Sequence, residues 1–422
     1  MKLKTGKANN IDNKIYRNIK MDYIYCFIKN FDISSSIWVL YMVFKGMSLW
    51  QVGVVEGVYH LTSFLFEIPT GAVADLLGRK KAILVGRICS VISSFLCLFG
   101  FQMWHFAIAF AVSAIGQNLN SGSEEALVYD SMKQLGQEGR YIKVNSRLNV
   151  IIEIAQGMAT VIGGIVAEYS FAWCYVISVI LGITALLPAL LFVEPDTGGE
   201  HLPGAGKSDP EGKPGKGYSL GLVKHHFIAS AGIIKSTPKL RRILIYYPMV
   251  FTFHTIVFFY GQEFFRVLGM NKIEISMVML FAGMISIFGA MSSELVLRRL
   301  GRRAKYAASA LMGAGIILMS RHSLLLSILA FAVISYANSV LYPIQSLAIN
   351  EIIPSRQRAT ILSVSSMAFS LFMVVMFPIC GLLADATDLH LVFLLLGVIQ
   401  LLLLFLDFKR KRGSNTGYNP GV

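Results

Sequence analysis

The stretch Glu67-Ile-Pro-Thr-Gly71-Ala-Val-Ala-Asp75-Leu-Leu-Gly78-Arg79-Lys80-Lys81 decides the fold of this chain. It ends one apolar segment, turns on glycines, carries an acid beside bases, and leads into the next apolar segment at Ala82. A turn this short forces two membrane-length helices to run antiparallel. It also places Arg79, Lys80 and Lys81 at the lipid headgroups, where cytoplasmic loops of membrane proteins concentrate their basic residues.

The composition requires a membrane. Of the 422 residues, 55% are hydrophobic and 15% are charged, whereas a typical soluble protein has about 25% charged residues. The mean hydropathy is +0.61. One water-soluble core cannot enclose so much apolar surface, so lipid must solvate the outside of the molecule. The net charge of +14 does not indicate nucleic-acid binding, because the bases are distributed among alternate loops rather than gathered in one patch.

The residues that carry chemistry in enzymes are not arranged for catalysis here. The five cysteines stand singly in or beside apolar segments, without the spacing of a disulfide framework or a metal site. The sequence also has no P-loop and no nucleophile elbow. We therefore expect no enzyme activity, no metal, no cofactor and no direct use of ATP.

Twelve apolar segments are long enough to cross a bilayer, which takes about 20 residues. They lie at 22–44, 49–70, 82–101, 104–128, 148–169, 172–193, 242–263, 273–296, 304–320, 323–350, 358–384 and 389–407. Because the basic residues fall in alternate loops and at both ends, both termini are predicted to be cytoplasmic.

A glycine- and proline-rich segment at 194–217 divides the spans six and six, and it is too poor in apolar residues to order itself. Apolar residues recur at helical spacing over 220–234, which predicts an amphipathic helix on the membrane surface. Gly301-Arg302-Arg303 after the eighth span repeats Gly78-Arg79-Lys80 after the second. We predict four regions: an amino-terminal half at 1–193, a cytoplasmic linker at 194–240, a carboxy-terminal half at 241–408, and a cytoplasmic tail at 409–422.

The motif Gly71-x-x-x-Asp75-x-x-Gly78-Arg79-Lys80 resembles the signature between spans 2 and 3 of the major facilitator superfamily of transporters. The resemblance covers nearly the whole chain and implies an all-α membrane protein of two six-helix halves. The strings Glu67-Ile-Pro-Thr-Gly71 and Ser121-Gly-x-Glu-Glu125-Ala-Leu-x-Tyr129-Asp130 resemble a bacterial subgroup usually classed with drug:proton antiporters. The arginine that exporters usually show in span 4 is absent, as is the proline of their span-5 signature.

The same resemblance implies a gate on the cytoplasmic side. Its residues are Gly71, Asp75, Gly78, Arg79 and Asp130. The two glycines would permit close helix approach, and Asp75 and Arg79 would form a charge cluster that locks the cytoplasmic side while the outside is open. Asp130, at the cytoplasmic end of span 4, is the expected partner of Arg79.

Ionisable residues inside spans cost about 2.5–3.5 kcal/mol each on insertion scales, so they usually face a cavity or a partner. Spans 1, 2, 4 and 5 carry polar stripes at helical spacing. The proton-coupling candidates on these stripes are Asp32, Glu67, Glu125 and Glu153. Two alternatives stay open, because Lys29 and Asp32 could neutralise each other as a structural pair and Glu67 could be a helix-end acid. Glu124 is expected to point into packing, and Glu56 and Glu263, near span ends, to be solvated.

The substrate-binding candidates are neutral or weakly basic groups that project from several spans. They are Asn118, Gln156, His254, Asn338, Tyr342 and Gln345. The acids crowd the amino-terminal half, so we expect protons to be handled there and the bound compound to contact Asn338, Tyr342 and Gln345.

The leading hypothesis is a monomeric, proton-coupled transporter in a bacterial cell membrane that exports small hydrophobic or cationic compounds by alternating access. Its partners would be the small-molecule substrate, protons and the lipid bilayer. One alternative is a proton-coupled symporter that imports a metabolite. The other is a non-transporting membrane sensor, which is disfavoured because 194–217 is too short and too rich in glycine to be a soluble domain.

Overall fold

The computed structural model describes the backbone of residues 2–195, 237–350, 352 and 358–415. It describes the side chains of residues 13–74, 76–195, 237–301, 303–350, 352 and 361–409. The predicted amphipathic helix at 220–234 and most of the linker lie outside the described residues.

The described residues form thirteen α-helices and two short 3-10 turns, and no strand occurs among them. The helices are α1 (Lys2–Asn30), α2 (Trp38–Phe44), α3 (Leu49–Leu77), α4 (Arg79–Leu98), α5 (Met103–Gln134), α6 (Tyr141–Tyr169), α7 (Phe171–Leu190), α8 (Pro238–Val267), α9 (Lys272–Leu300), α10 (Ala304–Met319), α11 (Leu324–Asn350), α12 (Arg358–Ala386) and α13 (Leu389–Asn415). The 3-10 turns are Glu138–Arg140 and Gly301–Arg303. Eight helices in the described ranges are long and apolar enough to cross a membrane, and α10 is apolar but shorter. The predicted all-α, twelve-span architecture is confirmed, with α1 and α2 sharing the first span.

The first span is interrupted, so the prediction of one continuous segment at 22–44 was wrong. Between α1 and α2, the Oδ1 atom of Asp32 accepts the backbone N–H of Ser34 at 3.0 Å and the Ser34 hydroxyl at 2.7 Å. Such local side-chain bonds compete with helical backbone bonding. The same oxygen accepts the hydroxyl of Ser178 on α7 at 2.8 Å, which ties the interruption to its neighbour.

The chain divides into two compact units. Unit 1 comprises Met1–Trp38 and Val58–His226, and unit 2 comprises Val39–Gly57 and Phe227–Val422. The helix α2 and the first turns of α3 therefore group with unit 2, although they stand early in the sequence.

Unit 1 has its core where α1, α4, α5 and α7 meet. Tyr25, Ile83, Leu127 and Phe192 are each at most 1% exposed there, and the rings of Tyr25 and Phe192 meet edge to face at 5.7 Å between centroids. Because this core fixes the rotation of α1, it decides which of the polar residues on that helix are buried.

Unit 2 is organised around α8, which packs against α11 and α12. Tyr260 on α8 is fully buried, and its hydroxyl lies 3.0 Å from the carbonyl oxygens of both Leu49 and Phe377. One side chain thus joins α8, the start of α3 and α12.

The internal repeat is visible in the backbone. Gly78 follows α3 with φ +92°, and Gly301 follows α9 with φ +52°. This left-handed region favours glycine, which accounts for a glycine at each of the two turns.

Candidate functional site

The turn between α3 and α4 is held by a carboxylate from beyond the end of α7. The backbone N–H groups of Arg79 and Lys80 donate to Glu194 at 2.6 and 3.0 Å. These are the first two N–H groups of α4, which have no partner within the helix and favour a negative charge. Glu194 falls at the start of the predicted linker and was missed as a site residue, because its partners are 115 and 114 residues away and no local pattern marks it.

The predicted gate residues meet only in part. Arg79 Nε lies 3.6 Å from Asp130 Oδ2, with both side chains partly buried. This is the pairing that the sequence suggested, while its role as a lock remains a proposal. A Cβ placed on Gly71 would meet no atom of the described residues within 4 Å, so Gly71 is not at a close approach to any helix among them. The side chain of Asp75 lies outside the described residues.

Lys29 on α1 forms an ion pair with Glu124 on α5. The alternative of a structural pair between Lys29 and Asp32 was therefore wrong. The reason is the interruption after Asn30, which removes Asp32 from the helical face that Lys29 occupies. Glu124 is buried, as expected, but it is an ion-pair partner rather than a packing residue.

Asp22 is a buried acid that the sequence reasoning missed. Its side chain belongs to a residue that is 1% exposed, and neither carboxylate oxygen has a hydrogen-bond partner among the described residues. The predicted first span began at this position, and no role was predicted for Asp22. A signal was present, because Asp22, Tyr25 and Lys29 are spaced to share one face of a helix.

The four proton-coupling candidates lie on different elements. Asp32 caps the interruption after α1, Glu67 is half-buried on α3, and Glu125 and Glu153 are exposed on α5 and α6. In the described part of the chain, no ion pair joins Glu125 or Glu153 to a base. These two carboxylates are exposed on the surface of unit 1.

Two of the predicted substrate-binding amides are already engaged. Asn118 donates to the Ser63 carbonyl at 2.8 Å and accepts the Ser63 hydroxyl at 2.9 Å. Gln345 is buried and donates to the Ser365 hydroxyl at 3.0 Å. Both side chains join helices of their own unit, so a ligand would have to displace these bonds to reach them.

Gln156 and Asn338 use fewer of their hydrogen-bonding groups among the described residues. Gln156 is exposed on α6 and donates to Asn30 Oδ1 at 3.4 Å. Asn338 on α11 has a buried Oδ1 without a partner among the described residues. The Asn338 carbonyl is thus an unused hydrogen-bond acceptor in unit 2.

An aromatic surface follows α8 and α11 in unit 2. Tyr342 is 65% exposed and its ring lies 5.8 Å from that of Phe251. His254 stacks on Phe258 at 6.0 Å between centroids. The helix α11 contains no charged residue over Leu324–Asn350. This surface can offer ring faces and a phenol to a ligand without a competing charge.

Two acids near span ends were wrongly expected to be solvated. Glu56 and Glu263 are each 6% exposed. Glu263 accepts two hydrogen bonds of 2.6 Å from the guanidinium of Arg266. This bidentate geometry, together with burial, makes it a structural ion pair.

A shallow groove between α1 and α6 in unit 1 carries bases. It is lined by Tyr23, Lys143, Ser146, Arg147, Val150 and Ile151. The two bases belong to the first turns of α6, at the end predicted to be cytoplasmic, where the positive-inside rule accounts for them.

A family model described as Major Facilitator Superfamily matches residues 26–320. The uncharacterized MFS-type transporter YxaM of Bacillus subtilis (strain 168) is 20% identical over 383 residues, which cover 88% of this chain and 90% of YxaM. The inner membrane transport protein YajR of Escherichia coli (strain K12) is 26% identical over 146 residues, which cover 34% of this chain and 31% of YajR.

Solved structures share the fold. The nucleoside transporter NupG superposes with a TM-score of 0.74 at 13% identity, over 94% of this chain and 98% of NupG. A D-xylose-proton symporter superposes with a TM-score of 0.64 at 13% identity, over 92% of this chain and 97% of the symporter. At this level of identity the likeness shows the arrangement of helices and nothing about substrate.

Proposed function

The chain belongs to the major facilitator superfamily of membrane transporters, and from this premise we propose that it exports small hydrophobic cations in exchange for protons. It would do so by alternating access in a bacterial cell membrane, with both termini in the cytoplasm.

The observation that carries the proposal is the pair of open carboxylates, Glu125 on α5 and Glu153 on α6. Both are exposed within apolar spans, and no ion pair joins either to a base in the described ranges. A carboxylate facing lipid is costly, so such acids normally line a water-filled path. Two carboxylates on such a path attract cations and repel anions.

The placement of these acids favours export. Glu125 lies nine residues before the end of α5 at Gln134, and Glu153 twelve residues after the start of α6 at Tyr141. Both of those helix ends are predicted to be cytoplasmic. The acids are therefore within about 13–18 Å of the cytoplasmic helix ends, at a rise of 1.5 Å per residue. A cation arriving from the cytoplasm would meet them before the middle of the membrane.

The apolar part of the substrate is assigned to the aromatic surface of unit 2. Tyr342, on the uncharged helix α11, exposes its ring beside that of the half-buried Phe251. Ring faces bind apolar groups and attract cations at short range. A hydrophobic cation has both the apolar groups and the charge that such ring faces bind.

Uptake of a polar metabolite fits the site less well. A sugar or nucleoside would need free amides for its hydroxyl groups, whereas Asn118 and Gln345 already bond to Ser63 and Ser365. A ligand that must first displace hydrogen bonds within the protein binds more weakly, because breaking them offsets part of the free energy of its new hydrogen bonds.

The test is substrate profiling in an exporter-deficient host, followed by transport into inverted vesicles with an imposed proton gradient. Glu125→Gln, Glu153→Gln and the double variant should lose transport of cationic compounds more than that of neutral ones. The matched control is Glu138→Gln, because Glu138 is an exposed acid in the turn between α5 and α6. Equal transport of cations by the double variant and the control would overturn the proposal.

A further inference from the structure

Asp22 is a buried acid of unit 1, and no hydrogen bond among the described residues stabilises its charged form. It is 1% exposed and both carboxylate oxygens lack a donor among the described residues. Two other buried polar residues on α1 do have partners. Asn18 donates to the Ser131 hydroxyl at 2.9 Å, and the Tyr25 hydroxyl donates to Asn120 at 3.0 Å. Among the described residues, the Asp22 carboxylate between them has none.

The acid belongs to a small charged group formed by Asp22, Lys29 and Glu124. Lys29 folds back along α1, so that its ammonium lies 5.7 Å from the centre of the Tyr25 ring and pairs with Glu124. Asp22 lies near enough to both of them for its carboxyl to interact with their charges. Lys29 is thus the one base of this group, and it is paired with Glu124.

Other titratable groups interact electrostatically with Asp22. They are Tyr25 and Cys26 on α1 and Tyr141 on α6. Arg87 on α4 interacts electrostatically with Tyr25. The helix α7 contributes no charged side chain over Phe171–Leu190. None of these groups supplies a second strong cation beside the Asp22 carboxyl.

The charge balance then requires a proton. With Lys29, Glu124 and Asp22 all ionised, the group carries one uncompensated negative charge in an apolar surrounding. A buried carboxylate without a donor is far more costly than its neutral form. One proton on Asp22 removes the excess charge and leaves the ion pair of Lys29 and Glu124 intact.

We propose that the Asp22 carboxyl is a proton-binding site, and that it exchanges its proton with water during the transport cycle. When the proton leaves as hydronium, the Asp22 carboxylate becomes the second acceptor of the Lys29 ammonium, which has three N–H donors. This assignment rests on the proposed proton coupling and replaces Asp32, whose carboxylate already accepts three hydrogen bonds.

The direct test is infrared spectroscopy of the purified transporter, in which a protonated buried carboxyl group gives a carbonyl band that shifts in deuterium oxide. Raising the pH should remove one such band, and isotopic labelling of the aspartate side-chain carboxyl carbon should shift it in the wild-type protein. The band should be absent in Asp22→Asn and present in Asp32→Asn. None of these measurements uses a substrate, so their outcome does not depend on what the protein transports.

A transport assay with Asp22→Asn provides the second test. Asp22→Asn should keep exchange of substrate between equal concentrations and lose accumulation driven by a proton gradient. The assignment is overturned if the wild-type protein shows no aspartate band, if the band does not titrate, or if it is lost in Asp32→Asn and kept in Asp22→Asn. A titrating Asp22 band in a protein that moves no hydrophobic cation would contradict the proposed substrate class and leave the proton site standing.

Discussion

Lys29 on α1 is paired with Glu124 on α5, although Asp32 stands only three residues further along the chain. The pair connects two helices of unit 1. Asp22 lies near this pair, and its carboxylate has no hydrogen-bond partner among the described residues. We therefore propose Asp22, rather than Glu124, as the acid that binds a proton. The protonation states of the buried acids in unit 1 therefore depend on this pair.

Lys29→Met should destabilise the protein by about 3 kcal/mol, the lower end of the cost of removing one partner from a buried pair. The lower end applies because the two side chains keep 19% and 11% exposure. Thermal and denaturant unfolding in detergent would measure the change. Adding Glu124→Gln should restore most of the loss. Arg298→Ala is the control, because its pair with Glu294 is 77% and 73% exposed, and it should have little effect.

Glu194→Ala should weaken the start of α4, because the N–H groups of Arg79 and Lys80 lose their acceptor. Loss of an N-terminal cap costs about 1 kcal/mol. Glu194→Gln keeps one carbonyl acceptor and should cost less. The free energy of unfolding of both variants would be compared with that of Glu138→Ala, an exposed acid outside this contact. Equal values for all three would show that Glu194 does not support α4.

Gly381→Ala should separate α12 from the start of α3. A Cβ at that position would lie 2.3 Å from the Leu49 carbonyl oxygen, and Asp385 accepts the N–H groups of Leu49 and Trp50 at 2.9 and 2.8 Å. Overpacking of this kind costs about 1–3 kcal/mol. Labelling of a cysteine placed at Trp50 would report the separation as faster modification.

Gly283→Ala provides the control for that substitution. No atom lies within 4 Å of a Cβ built on Gly283, so the variant should be at least as stable as the wild type through its better helix propensity. Labelling at residue 50 that is as slow in Gly381→Ala as in this control would contradict the close contact.

Tyr342→Ala and Glu125→Gln should have different effects on transport. Removing the exposed Tyr342 ring should change which compounds are moved, because it removes ring contact and leaves the acids in place. Removing the Glu125 charge should reduce the preference for cations over neutral compounds. Transport of a matched series of cationic and neutral aromatic compounds would separate the two. Identical changes in both variants would mean that a single site performs both tasks.

The fold was predictable because its signals are local and repeated. Apolar length predicted the spans, and the glycine-basic pattern predicted turns at Gly78 and Gly301, both of which have positive φ values. The prediction failed at Asp32, where the side chain takes over a backbone bond and ends a helix within an apolar segment. Hydropathy averaged over a span does not detect a helix break that a single side chain causes.

The site was predictable only where its contacts follow from position on one helix or from a known motif. Arg79 and Asp130 were paired through the motif and do lie together. Glu194, Lys29 and Asp22 depend on partners about 100 residues away or on the absence of any partner. Such contacts arise from the packing of distant segments, and no local pattern in a single sequence predicts them.

The central claim is tested most directly with purified protein in liposomes, loaded with acidic buffer and placed in a neutral medium. The compound should be a fluorescent aromatic quaternary ammonium ion, because it cannot be protonated and a pH gradient alone does not concentrate it. We predict that it accumulates in the acidic lumen against its own gradient, and that it does not in protein-free liposomes or in the Glu125→Gln, Glu153→Gln double variant. Accumulation that is unchanged without the pH gradient, or that occurs only with an alkaline lumen, would contradict proton-coupled export of hydrophobic cations.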